Sequence, residues 1–471
     1  MHNSNRQILY MFVTMLTQLW FDPGLAKPNT DHPILHEHPF LFIWNAPTEL
    51  CDIRFSTPLD LSYFQFVSST LRSATNQSLS MFYIDRFGIF PYVNEETGTI
   101  HEGGLPQTIN MKEHLEKAKK DIQYYIPDNQ LGFAVLDFEE WRPQWIRNWG
   151  SKDIYRKYST ELVQNNTLLS EDNAKALAKI EFDRAARRYF TESIRKGRRL
   201  RPKKFWGYYL YPDCYNYDYN QDMVAYNGEC PDIEKRRNDE LQWLWNESTA
   251  LFPSIYLELV FKSNPRKARL YVRHRIQEAM RTSLLHNSSY SIPIYAFIRP
   301  VYKNKEDEFI PEFNLVNTIG EAAALGVSGV VSWGSLRLTK TEDTCINARQ
   351  YLDQVMNPYI LNVSTATRLC SKAICSGRGR CVRKQWDTDV FLHLNPQHYQ
   401  IHRQHPDEPW TVTGELSQSD VSWYERHFDC MYYSWNPTRL EDESLKDCGP
   451  DRSAPRLLMI LLWVVCVVLL I

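Results

Sequence analysis

The chain has no excess of either charge: 54 Lys and Arg stand against 56 Asp and Glu in 471 residues, a formal net charge of -2. A basic nucleic-acid-binding domain is excluded, so no nucleic-acid partner is expected and any contact with a polyanion must be local. No glycine-rich phosphate loop follows the first strand-like run, which leaves a nucleotide site without support. No close CxxC pair suggests zinc, and His36-Glu37-His38, the nearest thing to a metal cluster, sits in a Pro-flanked loop that reads as a solvated linker. Neither a metal nor a cofactor is expected. The C-terminus also falls short of the ~20 apolar residues of an ordinary membrane span. Residues 457–471 carry no charge but number only fifteen.

What is present includes an address at each end. Residues 8–20 form a short apolar stretch flanked by Arg6, with the small residues Gly24-Leu25-Ala26 behind it, so 1–26 read as a secretory signal peptide. The apolar C-terminus fits a glycolipid (GPI) anchor signal, 448–471, removed after Asp447, whose followers Cys448 and Gly449 are small. Sequons at Asn76, Asn165, Asn246, Asn287 and Asn362 agree with passage through the secretory pathway, and ten cysteines then read as disulfides. The expected location is the outer leaflet of the plasma membrane, with lysosomes or endosomes as a second compartment.

Strand-like runs recur at 40–45, 81–85, 133–139, 205–211, 254–260, 292–298 and 329–333, with helical patterns at 111–123, 170–196, 233–245, 270–285 and 315–325. This alternation implies a parallel sheet with right-handed crossovers, hence an α/β fold: a distorted (β/α) barrel of about seven parallel strands over 27–360. A doubly wound open sheet is the runner-up. From 361 to 447 the texture changes. Cys370, Cys375 and Cys381 crowd with two glycines into twelve residues, a disulfide-stapled module similar to an epidermal-growth-factor-like (EGF-like) unit, with an inserted loop region over 386–421.

Asp137-Phe138-Glu139 ends the apolar run Gly132-Phe133-Ala134-Val135-Leu136. Residues i and i+2 of a strand face the same way, so both carboxylates share one face at a strand's C-terminal end, where α/β barrels carry their chemistry. Two acids about 7 Å apart along the backbone cannot both ionise freely, and one should keep a proton to donate. A salt bridge of these acids with Arg142 is the competing reading. The 27 Tyr and 14 Trp suit a groove that stacks sugar rings, although a large core accounts for most of them.

Around the acid pair, three runs come in a telling order: Leu136-Asp137-Phe138-Glu139-Glu140-Trp141-Arg142-Pro143, then Trp206-Gly207-Tyr208-Tyr209-Leu210-Tyr211-Pro212-Asp213-Cys214-Tyr215-Asn216, then Trp243-Leu244-Trp245 leading to Leu251-Phe252-Pro253-Ser254-Ile255-Tyr256. They resemble the vertebrate and venom hyaluronidases, over residues 40–430. Within that family the chain is most similar to the glycolipid-anchored type 2, through Asp213-Cys214-Tyr215-Asn216-Tyr217-Asp218-Tyr219 and the apolar C-terminus.

The resemblance implies an endo-acting β-N-acetylhexosaminidase that cleaves β-1,4 bonds of hyaluronan, with chondroitin as a second polymer. It makes Glu139 the proton donor to the glycosidic oxygen, Asp137 its hydrogen-bonded partner, and the substrate's own N-acetyl group the nucleophile, with retention of configuration. Tyr209 would orient the acetamido group, Trp333 would pack beside it, and Tyr83 and Tyr256 would line sugar subsites. Arg142 and Asp213 complete the implied substrate contacts near the acids. For Tyr209 and Trp333, packing in the barrel core is the other reading. Phe138 stands where many members carry Trp, and strand alternation turns it toward the helix layer. By the same resemblance the disulfides pair Cys51 with Cys345, Cys214 with Cys230, Cys370 with Cys381 and Cys375 with Cys430. A further family bridge would begin at Tyr432 and is absent, while Cys448 and Cys466 would leave with the anchor signal.

Hyaluronan carries a carboxylate in every disaccharide, which calls for cations in the groove. The denser basic cluster, 195–204, precedes the strand run at 205 and so belongs at the bottom of the barrel as a solvated helix end. Arg266, Lys267, Arg269, Arg273 and Arg275 follow the run ending at 260, which makes Arg266 and Arg269 candidate polymer contacts on the active face. The competing function is a cell-surface hyaluronan-binding or receptor protein with weak or vestigial hydrolysis.

Overall fold

A computed structural model describes residues 28–405 and 408–434. The expected signal peptide, the expected anchor site Asp447, Cys448, Cys466 and the apolar run 457–471 lie outside the described residues. Among those described, no helix is long and apolar enough to cross a membrane.

Short apolar strands, covered on both faces except at exposed Val67, pair in parallel as the sequence pattern requires. Leu41–Asn45 lies between Phe66–Ser68 and Gly329–Trp333, and the latter pairs on with Tyr295–Ile298. Leu79–Phe82, Gly132–Leu136 and Lys204–Tyr208 form a second arc. Single bridges Tyr209↔Phe252, Leu251↔Ile294 and Ser254↔Phe297 make residues 251–254 the stave that joins the arcs. This stave presses close on its neighbour: a Cβ on Gly207 would lie 2.2 Å from Ala250 O, so only glycine fits there. At the remaining joint, Leu79 N–H donates to Ser68 Oγ at 2.9 Å. The architecture is the expected distorted (β/α) barrel, with the 251–254 stave added to seven named strands.

Alternation sorts the side chains. Leu41, Ile43, Phe133, Val135, Phe297 and Val331 fill the barrel interior. Their neighbours Phe42, Trp44, Ala134, Leu136, Ala296 and Val330 face outward into the helix layer. The longest cover is Glu171–Leu200, which sets Tyr189, Phe190 and Ile194 against the sheet.

Several expectations shift. The strand expected at 254–260 ends at 254: Pro253 has no N–H to extend a ladder, and the chain runs irregularly into a short helix at Leu259–Lys262. Phe66–Ser68 is a stave too short to announce itself as an apolar run. The helix at 233–245 divides into Asp232–Asp239 and Gln242–Trp245. Helices Asp153–Asn166 and Glu342–Tyr351 are additional. Asn357–Cys375 carries the helix through position 360 without a break, so the boundary expected there falls inside a helix.

Beyond that helix, Gly379–Arg383 pairs antiparallel with Phe428–Tyr432. The segment expected as an inserted loop contains a hairpin, Tyr399–His402 with Thr411–Gly414, and the start of helix Gln418–His427. These pack on Leu392, Leu394, Tyr424 and Phe428. The four disulfides are Cys51–Cys345, Cys214–Cys230, Cys370–Cys381 and Cys375–Cys430, the pairs the resemblance implies.

The 195–204 cluster lies at the bottom of the barrel, but it is engaged rather than simply solvated. Arg195 and Arg198 pair with Glu247 at 2.5 and 3.2 Å. Lys204, 1% exposed, donates to the carbonyls of Gln77, Ser78 and Leu131 at 3.0, 3.0 and 3.3 Å.

Candidate active site

The strand Gly132–Leu136 stops one residue before the acid pair, a correction to the run expected through 139. Asp137 N–H still donates to Phe82 O at 2.9 Å, so the alternation persists past the strand end. Phe138 turns outward, with its ring 5.0 Å from Phe90 and 5.8 Å from Tyr208. Asp137 and Glu139 turn the other way, into a cleft of about 450 Å³ at the barrel mouth. Asp137 is only 9% exposed, whereas Glu139 opens to solvent in the cleft.

Desolvation raises both carboxyls above their ordinary range, Asp137 through its burial and Glu139 through the cleft walls around it. Glu139 and Glu140 push Asp137 further up, while Lys152, Lys303 and Arg142 pull Glu139 back. The two side chains are hydrogen-bonded to each other, and Asp137 Oδ1 has no partner. Such a pair retains a proton that isolated carboxylic acids would have lost, and Glu139 is the member placed to hand it to something in the cleft. Among the described residues no ion pair joins either acid to Arg142. Its guanidinium lies 5.7 Å from the rings of both Trp149 and Tyr215 and donates to Arg147 O at 3.3 Å, which decides against the salt-bridge reading.

Facing the acids is a wall of aromatic side chains. The hydroxyls of Ser254, Tyr209 and Tyr256 lie beside one another, and burial keeps both phenols well above their usual range, hence neutral. Trp333 stacks with Tyr256 at 6.4 Å and donates its indole N–H to the Tyr83 hydroxyl at 3.1 Å. Burial, followed by the charge of Asp137, pushes the Tyr83 phenol up to about 12. Tyr209 and Trp333 therefore pack and face the cleft at once, so the core-packing reading and the site reading describe the same side chains. Asp213 also lines the cleft, but its Oδ1 is taken up by the N–H groups of Cys214 and Tyr215 and by Arg275 at 2.6 Å.

The structure thus brings together Asp137, Glu139, Arg142, Tyr209, Asp213, Tyr256 and Trp333, with Tyr83 joined through Trp333. It does not bring in Arg266 or Arg269. Arg266 is exposed on the first turn of Pro265–Ser283, outside the cleft lining. Arg269 is turned toward the chain-terminal module by Asn317 Oδ1 at 3.0 Å and an ion pair with Asp389. Arg299 and Lys303 line the cleft instead. Both follow Tyr295–Ile298 immediately, so the rule that function gathers just past strand ends could have found them. Of the sequons, Asn76, Asn165 and Asn246 are exposed, while Asn287 and Asn362 are half-buried. Asn362 Oδ1 also accepts from Leu394 N–H at 2.8 Å.

A family model described as Hyaluronidase matches residues 29–444. Hyaluronidase-5 of Mus musculus is 47% identical over 404 residues, spanning 85% of this chain and 76% of the relative. Hyaluronidase PH-20 of Homo sapiens is 44% identical over 403 residues, spanning 85% and 78%. Hyaluronidase-2 of Bitis arietans is 40% identical over 420 residues, spanning 88% and 93%. Bee venom hyaluronidase, solved in complex with a hyaluronic acid tetramer, matches with a TM-score of 0.60 at 26% identity, covering 68% of this chain and 98% of that one.

Proposed function

The chain belongs to the hyaluronidase family, and from that premise we propose that it is an endo-acting hydrolase of the β-1,4 N-acetylhexosaminide bonds of hyaluronan. The observation that carries this reading is the proton-retaining pair, with Asp137 buried and Glu139 open to a cleft walled by Tyr209, Tyr256 and Trp333. Glu139 gives its proton to the glycosidic oxygen as the bond from that oxygen to the anomeric carbon breaks. Asp137 lies on the same segment as Glu139 rather than across the cleft, which is not the arrangement of a carboxylate nucleophile with a facing acid. The N-acetyl carbonyl oxygen of the substrate forms the new bond to the anomeric carbon, held by the Tyr209 hydroxyl. Water then attacks that carbon, the bond between it and the acetamido oxygen breaks, and the water's proton returns to Glu139, so configuration is retained.

Chondroitin presents the same acetamido group and carboxylate and is the second polymer of this reading. The likeness to the glycolipid-anchored type 2 and a cell-surface location through Asp447 belong to the proposal too, supported by the uncharged run 457–471. Release from cells by a phosphatidylinositol-specific phospholipase is the expected outcome, and a mature C-terminus that retains Cys448 counts against that anchor site.

The central test is hyaluronan chain length after incubation at acidic pH with the parent and with Glu139→Gln. The parent should shorten the polymer and the variant should leave it long. Shortening that survives the substitution removes Glu139 from its role.

A further inference from the structure

We propose that Lys303 binds a uronate carboxylate of the substrate and so selects a carboxylated polymer over a neutral one. The inference rests on the hydrolase reading above and adds to it a specificity residue.

Lys303 occupies the turn of a hairpin formed by Val301–Tyr302 and Lys305–Phe309, directly beyond the strand Tyr295–Ile298. The turn is anchored. Lys303 N–H donates to Leu257 O at 2.8 Å, and Leu259 N–H donates to Asn304 Oδ1 at 2.8 Å. At the hairpin base Arg299 pairs with Glu306 at 2.8 Å, and Glu306 accepts from the Ser335 hydroxyl at 2.8 Å. A fixed backbone places the Lys303 stem on the cleft wall without ordering a loop first.

The cations of the cleft differ in what they have left to offer. Arg299 is held by Glu306 and lies over the rings of Trp333 and Tyr256 at 4.9 and 5.7 Å. Arg142 lies between Trp149 and Tyr215 and donates to Arg147 O. Nearby lysines outside the cleft lining have acids of their own: Lys262 pairs with Glu308, and Lys305 with Asp307 at 2.8 Å. Lys303 lines the cleft, is exposed, and has no ion-pair partner among the described residues. Its charge reaches the reaction centre, since it is among the cations that pull the Glu139 carboxyl downward. A free ammonium on a fixed wall facing the donor, in a site for a polymer with a carboxylate in each disaccharide, is placed to meet that carboxylate when the hexosamine sits at Glu139.

Binding is read in the Glu139→Gln background, so that turnover does not consume the ligand. The probes are hyaluronan oligosaccharide and the same oligosaccharide with its carboxylates reduced to alcohols. Adding Lys303→Gln should weaken hyaluronan binding about 5- to 10-fold and make its salt dependence shallower. Affinity for the carboxyl-reduced ligand should stay unchanged. Lys305→Gln, in the same hairpin but paired with Asp307, should match the background protein on both ligands. An unchanged hyaluronan affinity and salt slope in Lys303→Gln overturns the proposal. Equal weakening on both ligands also overturns it, because that marks a hairpin that has moved. Failure of the hydrolase reading shows separately, as a parent that leaves hyaluronan long.

Discussion

The barrel mouth and the seam around Glu321 both bury an acid, Asp137 in one and Glu321 in the other, and they treat it in opposite ways. Glu321, fully buried, has both oxygens held by guanidinium groups. Arg273 Nε donates to Oε1 at 2.7 Å, and Arg383 reaches Oε2 at 3.1 Å and Oε1 at 2.5 Å. Arg273 continues to Asp389 at 2.9 Å. These residues come from the barrel helix Pro265–Ser283, the short helix Glu321–Ala324 and the strand Gly379–Arg383, so the ion cluster joins the terminal module to the barrel. At the barrel mouth, by contrast, Asp137 and Glu139 have each other, with an orphaned Asp137 oxygen and cations that act at a distance. A buried charge with every lone pair answered holds structure. A buried acid left short of partners keeps its proton, and that proton is what chemistry can use.

Single substitutions should separate the two places. Glu139→Gln should lower hyaluronan hydrolysis by ~10²- to 10⁴-fold or more, read from new reducing ends, while leaving the thermal transition where it is or slightly higher. Glu321→Gln should do the reverse. It leaves two buried guanidinium groups facing a neutral amide, at a cost of about 3–5 kcal/mol in urea unfolding, with turnover per folded molecule little changed. If Glu139→Gln destabilises the fold as much as Glu321→Gln, the contrast fails.

Tyr209→Phe sharpens the comparison within the site. The ring remains packed on Phe297 at 4.9 Å, and only the hydroxyl beside Ser254 and Tyr256 is lost. The expected loss is about 10²-fold in kcat, the scale of one transition-state donor, with stability changed by about 1 kcal/mol. A drop confined to stability would return Tyr209 to the barrel core.

The acid pair was legible in the sequence because strand alternation continues past the last ladder residue, so Asp137 and Glu139 share a face even though the strand is shorter than the apolar run suggested. Phe138 was legible for the same reason. The cations were misjudged because the run 254–260 was read as a strand, which set Arg266 and Arg269 just past its end, whereas its pairing stops at 254. Arg269 is further engaged by Asp389, more than a hundred residues later, which turns it away from the cleft. Arg299 and Lys303 are sparse in sequence and stand where a strand ends. The Glu321 cluster had no local signal, since Arg273, Glu321 and Arg383 meet only through tertiary packing. Phe66–Ser68 was missed because three residues are too few to show a period.

The smallest effect is the pH dependence that Asp137 contributes. Burial and the carboxylates of Glu139 and Glu140 raise its folded pKa above the unfolded value of about 4. Between those values the folded protein holds a proton that the unfolded chain has released. This contribution to stability is therefore complete below about pH 4 and is lost as pH rises through the folded pKa, by up to about 1.4 kcal/mol per unit. Asp137→Asn removes the titrating group, so the variant's stability should depend less on pH across that window, and parent and variant should diverge toward its alkaline end. Activity should move as well. Glu139 loses the neighbour that shares its proton but keeps Lys152, Lys303 and Arg142, opposed by Asp213 and Glu140, so hydrolysis should begin to fail at a lower pH than in the parent. An activity limb that stays at the parent's pH would mean that the two carboxyls titrate independently, and the barrel mouth would then bury its acids as quietly as Glu321 is buried.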